Sequence, residues 1–168
     1  MSAGSEHRTD PGARVVYREA LRVPVWWYVV AVGIAALIAA EFHISSINLI
    51  DWIAFGVLLP LSVVIVWSLG RGHLEIRTGG DGELRSGELR VRGAHIPLGD
   101  LSGAVALDAA TLRRVVGREG DPAAFVSIRP WIGPGVQLWV DDPEDPTPYW
   151  VVSSRQPRQI VDLVRSCV

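Results

Sequence analysis

Two uncharged apolar runs dominate the first half of the chain, Val23–Ala40 (VPVWWYVVAVGIAALIAA) and Trp52–Leu69 (WIAFGVLLPLSVVIVWSL). A helix rises about 1.5 Å per residue, so roughly 20 apolar residues cross a bilayer, with about 17 at the low end. Neither run shows the polar face that a helix on the surface of a globular core carries. The pattern predicts a transmembrane helical hairpin over 17–70, with spans near 23–42 and 48–69. A cleaved signal peptide ending near Ala39-Ala40 is the rival for the first run. The long polar leader, and a second run following at once, favour the hairpin. Residues 1–16 read as a disordered cytoplasmic leader.

The aromatic residues fit that reading. Trp26, Trp27 and Tyr28 open the first run and Trp67 closes the second, so a hairpin brings these rings to one membrane face, with Trp52 at the other. Arg14, Arg18 and Arg22 precede the spans and Arg71 and Arg77 follow them, while the connection carries no arginine. The positive-inside rule then predicts a multi-pass protein of the plasma (inner) membrane with both termini cytoplasmic. Ala31, Ala35 and Ala39 form a small-residue stripe, suited to close packing on the second helix or to a homo-oligomer seam. Pro60 falls inside the second span. Glu41, His43 and Asp51 gather at the far face, where Asp51 reads as a first-turn carboxylate rather than part of a relay.

Beyond Leu69 alternation replaces continuous hydrophobicity. Strand candidates are 73–78, 83–85, 88–92, 94–98, 101–107, 124–131, 136–141 and 148–153, separated by glycine- and proline-rich turns. A helix is predicted over Ala109–Val116, with Asp108 as its cap and Gly117 at its end. Another is predicted over 157–166, with Pro157 in its first turn and Ile160, Val161, Leu163, Val164 and Cys167 at helical spacing. The fold class expected is therefore an α+β membrane protein. Its hairpin is followed over 71–168 by a small antiparallel β-barrel, pleckstrin-homology-like (PH-like), closed by the C-terminal helix; an open β-sandwich is the alternative.

Composition narrows the chemistry. The chain has 168 residues, 49% apolar and 20% charged, with net charge −2. That balance leaves no electrostatic footprint for nucleic acid. All 16 basic residues are arginine, and the single cysteine, Cys167, excludes a disulfide framework. The histidines are scattered, no nucleophile elbow occurs, and Gly79-Gly80-Asp81-Gly82 lacks the lysine of a phosphate-binding loop. The expectation is a protein without catalytic activity or cofactor.

The densest polar stretch runs from Asp141 to Trp150, with acids at Asp141, Asp142, Glu144 and Asp145. It reads as a rigid hairpin loop whose acids pair with Arg129 and Arg155 across the sheet; calcium binding is the alternative. Val126 and Ile128 are expected to face the core, leaving Arg129 and Trp131 on the opposite face. The predicted partner-binding set is Arg129, Trp131, Asp142, Asp145, Tyr149, Trp150 and Arg155, because aromatics beside fixed charges make good interface anchors.

Several blocks together resemble an uncharacterised actinobacterial membrane family, a domain of unknown function. These are Tyr17-Arg18-Glu19 with Val23-Pro24 and Trp26-Trp27; Ala94-His95-Ile96-Pro97-Leu98; Asp121-Pro122-Ala123 with Arg129-Pro130-Trp131; Asp142-Pro143 and Asp145-Pro146-Thr147-Pro148-Tyr149-Trp150; and Ser153-Ser154-Arg155. The resemblance runs from about Tyr17 to the C-terminus and implies two membrane spans and a cytoplasmic β-domain, with no known activity. The order of spans and barrel is also similar to bacterial membrane proteins with PH-like domains. The function expected is a scaffold or assembly factor for envelope machinery that binds a protein partner and contacts the lipid bilayer. The alternatives are a lipid-headgroup sensor using Arg71, Arg77, Arg85, Arg90 and Arg92, and a metal-regulated accessory subunit using the 141–145 loop.

Overall fold

The first regular element among the described residues is a strand, β1 (Val15–Ala20), where the sequence suggested a leader and the start of the hairpin. Its alternation is masked because several of its side chains are exposed. What commits it is pairing with β2 (His73–Arg77), distant in sequence. The computed structural model describes residues 13–43 and 49–167, without the side chains of 42, 43 and 49–51. Most of the expected leader, the Ser45-Ser46 tip, and the side chains of His43 and Asp51 therefore lie outside the described residues.

Two compact units result, one of 1–19 with 73–168 and one of 20–72. The smaller holds α1 (Val25–His43) and α2 (Leu49–Leu69), which pack on each other. Its buried helical positions are Ala35, Ala39 and Val66, so two residues of the alanine stripe are covered within the hairpin rather than open to a second copy. The outward positions are large and apolar: Val25 is 79% exposed, Leu37 71% and Trp52 73%. Among the described residues one window, Trp52–Leu69 of α2, is long and apolar enough to cross a membrane, with mean hydropathy 2.2. The stretch of α1 described with its side chains, Val25–Glu41, is apolar but shorter than that window. Two spans therefore do not follow from helix length. Below the helices Leu21 N donates to Gly72 O at 3.0 Å, and Arg71 lays its guanidinium 3.4 Å above the Trp67 ring.

The larger unit holds two four-stranded sheets, ordered β1-β2-β3-β4 and β5-β7-β8-β6. The strands β3 (Glu88–Val91) and β4 (Ala94–Pro97) form a hairpin through Arg92 and Gly93, whose φ values of 52° and 89° are those a type I′ turn demands. A 3₁₀ turn at Leu98–Asp100 then carries the chain into the second sheet. That sheet contains β5 (Leu101–Leu107), β6 (Phe125–Ser127), β7 (Gly135–Val140) and β8 (Tyr149–Ser153).

No closed barrel forms. β4 and β5 do not pair, so each sheet keeps its own edges, and the expected PH-like barrel is replaced by two separate sheets. Nor is the pairing all antiparallel, because β6 runs parallel to β8. Residues 83–85 form a turn rather than a strand.

Period-2 burial explains the core. Leu74 and Ile76, Leu89 and Val91, Val136 and Leu138, and Trp150 and Val152 point to one shared cluster with Ile160, Val161 and Val164. The last three belong to α4 (Pro157–Arg165), which stands where the sequence placed it. The opposite face of β8 presents Val151 to Leu107 and to Leu112 of α3 (Ala109–Val116). Asp108 caps α3 by accepting from Thr111 N at 2.7 Å, and that bond holds the Asp108 carboxyl below its ordinary pKa.

Candidate functional site

β8 is buried along most of its length, and its two ends carry different chemistry. Its five residues span roughly 13 Å at about 3.3 Å each. The acidic loop enters at Tyr149. Beyond Ser153 at the far end stand Ser154, Arg155 and, because β6 runs parallel, Arg129.

At the loop end the acids serve the backbone. Asp142 Oδ1 accepts from Glu144 N and Asp145 Oδ1 from Thr147 N, each at 2.9 Å. Bonds from Thr147 hold the Asp145 carboxyl below its usual range. Tyr149 Oη accepts from Asp121 N at 2.8 Å, tying the 121–124 turn to the strand. Among the described residues no group of three His, Cys, Asp or Glu side chains is arranged to hold a metal ion. Trp150 is buried, its ring centroid 4.1 Å from that of Phe125, in the core rather than at a surface.

The far end is built around one carboxylate. Glu19 Oε2 accepts from Tyr17 Oη at 2.9 Å and from Ser154 Oγ at 2.6 Å, while Oε1 accepts from Arg155 N at 2.8 Å. Ser154 Oγ in turn accepts from Gln156 N at 3.1 Å, at the entry to α4. β1 is thereby stitched to the β8–α4 turn by a fully buried serine and a shared acid.

Burial, together with the bond and charge of Glu19, pushes the Tyr17 pKa from 10.0 up to about 12. A raised folded-state pKa stabilises fully below the unfolded value and is lost as pH rises through the folded one. Stability is therefore expected to fall between about pH 10 and 12. Glu19→Gln should move the onset of tyrosinate absorbance for Tyr17 to lower pH without restoring the ordinary value, because burial remains. A Tyr17 titration identical in both proteins would refute this.

Arg129 lies beside this node. Its backbone N donates to Ser153 Oγ at 2.9 Å, its residue exposure is 8%, and its Cζ stands 5.4 Å from the Trp131 ring centroid. Its buried Nε–H has no acceptor. Burial, then the charge of Arg92, lowers its pKa. The expected pairing with the acidic loop is absent for Arg129, since the two occupy opposite ends of β8.

The facing is also the reverse of that expected. Val126 and Ile128 are 42% and 38% exposed, whereas Ser127 and Arg129 are buried. Parity set by the β8 partner strand overrides the local apolar alternation. The predicted partner set thus divides in three. Arg129, Trp131 and Arg155 belong to the far end, Asp142, Asp145 and Tyr149 to the loop end, and Trp150 to the core.

Glu19 was not singled out from the sequence. The available signal was that Tyr17-Arg18-Glu19 and Ser153-Ser154-Arg155 are both blocks that carried the family resemblance, and the fold brings them into direct contact. The sequence pattern of a family described as a protein of unknown function (DUF3093) matches residues 16–164. The chain belongs to that family. The DUF3093 match takes in both helices of the hairpin and both sheets, short of the first residue of β1, and all but the last residue of α4. No curated protein and no solved structure matches the chain.

Proposed function

We propose that this DUF3093 protein is a non-enzymatic inner-membrane protein whose α1–α2 hairpin anchors a cytoplasmic α+β unit, and that this unit is a scaffold or assembly factor binding a protein partner. The observation that carries the anchor is the exposed apolar surface of both helices, with Val29 and Ile53 continuing the pattern of Val25, Leu37 and Trp52. A contiguous surface of that kind marks a membrane or protein interface. Trp26, Trp52 and Trp67 are all exposed, Trp27 and Tyr28 half-buried, and the Arg71–Trp67 stack suits the headgroup level.

Partner binding is best supported at the far end of β8, where half-buried Trp131 and exposed Arg155 flank a rigid hydrogen-bonded node. A diffuse basic patch is less well supported, because Arg77 pairs with Glu75 at 2.7 Å and Arg90 pairs with Glu88. Metal regulation through the 141–145 loop loses support for the same kind of reason, since Asp142 and Asp145 are engaged in turns.

A cytoplasm-dependent reporter fused after Val168 should be active, and the same reporter inserted between Ser45 and Ser46 should be silent. Periplasmic activity of the Val168 fusion would overturn the orientation. Crosslinked capture from native membranes should yield a reproducible partner that Trp131→Ala and Arg155→Ala lose while retaining the fold. Unchanged capture by both variants would remove this end from partner binding.

A further inference from the structure

Among the arginines of the larger unit, Arg129 combines burial with the lack of a carboxylate partner among the described residues. Arg77 and Arg90 each pair with a glutamate two residues earlier on the same strand, and Arg18 meets Glu75 at 3.2 Å. Arg129 instead feels the like charge of Arg92, which after burial is the second cause of its lowered pKa. A guanidinium stays protonated in proteins, so the pair carries two positive charges at neutral pH.

Burying an unpaired charge is strongly unfavourable, and the Trp131 face offsets only part of that cost. The backbone of Arg92 is set by its turn, at φ 52° ahead of Gly93, and its side chain is exposed. Ser127, two residues before Arg129 and also facing inward, contributes a second buried polar atom without a partner, its Oγ. A buried unmade donor, a wall of Trp131 beside it, a second cation whose charge reaches it and no acid together describe half of an anion site.

We propose that Arg129 and Arg92 form an oxyanion site for a phosphate group, with Arg129 as the buried anchor, Arg92 as the outer clamp and Trp131 as the wall beneath the guanidinium. Two guanidinium charges suit a phosphomonoester, which carries nearly two negative charges at neutral pH, better than a carboxylate with one. A free phosphate and a phosphomonoester lipid headgroup share this chemistry. The site goes beyond the anchor-and-scaffold reading and does not require it, because the soluble-phosphate arm of the test is independent of topology.

The full chain is examined in neutral detergent micelles, with thermal unfolding as the readout and inorganic phosphate as the probe. Phosphate at about 100 times its dissociation constant should raise the midpoint by roughly 5–10 °C, and sodium chloride at matched ionic strength should not. Arg129→Met keeps the apolar stem and removes the charge. It should match or exceed the wild-type midpoint without phosphate and show no phosphate response. Arg92→Gly, which tolerates the turn's positive φ, should keep the fold and weaken phosphate binding about tenfold.

Nanodiscs of phosphatidylcholine, with and without phosphatidic acid, in buffer free of inorganic phosphate separate the sources. Stabilisation by phosphatidic acid that Arg129→Met loses assigns the headgroup. A response to inorganic phosphate alone assigns the free anion. A wild-type response retained in Arg129→Met, or one no larger than that to sodium chloride and absent from both nanodiscs, overturns the site. If Arg129→Met fails to fold, an unaltered phosphate affinity in Arg92→Gly overturns it equally.

Discussion

Glu19→Ala should lower the stability of the larger unit by about 3 kcal/mol, or roughly 10 °C in unfolding midpoint. One carboxylate accepts three hydrogen bonds, from Tyr17 Oη, Ser154 Oγ and Arg155 N. Its removal strands a hydroxyl on a residue with no solvent exposure and a backbone N–H at the entry to α4. Unmade polar groups cost more than the net worth of the bonds that satisfied them. Glu19→Gln keeps the shape and one acceptor oxygen, so about half of the loss is expected. Asp142→Ala, which removes a single bond in the exposed loop, should fall within about 0.5 kcal/mol of wild type. Thermal unfolding of the full chain in neutral micelles checks all three. A Glu19→Ala midpoint equal to that of Asp142→Ala would show that the node does not hold β1 to the β8–α4 turn.

Trp150→Ala should be more severe still, at roughly 3–5 kcal/mol. The indole lies in the main core, packed on Phe125 at 4.1 Å between rings, so its removal opens a large cavity there. Trp131→Ala should cost far less, about 1 kcal/mol, because that ring is half-buried and lies outside the main core, beside the Arg129 guanidinium. Denaturant unfolding followed by near-ultraviolet circular dichroism separates the two. Wild-type stability with lost partner capture in Trp150→Ala would make Trp150 a contact residue and contradict its place in the core.

The candidate site was legible in its parts and not in its assembly. Arg129, Trp131 and Arg155 stood out in the sequence as charges and aromatics in unusual company, and they do share one end of β8. The acidic residues looked like their partners only because a simple antiparallel meander would bring them together. A short parallel strand cannot be read from a local pattern, and β6 has three residues. Its parallel register beside β8 is what sends Arg129 to Ser153 and away from Asp142 and Asp145.

The sequence by itself determined the elements whose causes are local. Asp108 and Gly117 bound α3, Pro157 starts α4, and the alternation of Leu89 and Val91 with charged neighbours makes β3 a half-buried strand. The two uncharged runs become the two helices of the smaller unit. Caps, prolines and period-2 or helical spacing act over a few residues, so a linear reading finds them. Tertiary structure alone decided the rest. β1 exists because a strand far along the chain offers it hydrogen bonds, and Glu19 matters because that pairing carries its carboxylate to Ser154. Val126 and Ile128 face outward because the strand beside them, not their own apolar character, sets the register.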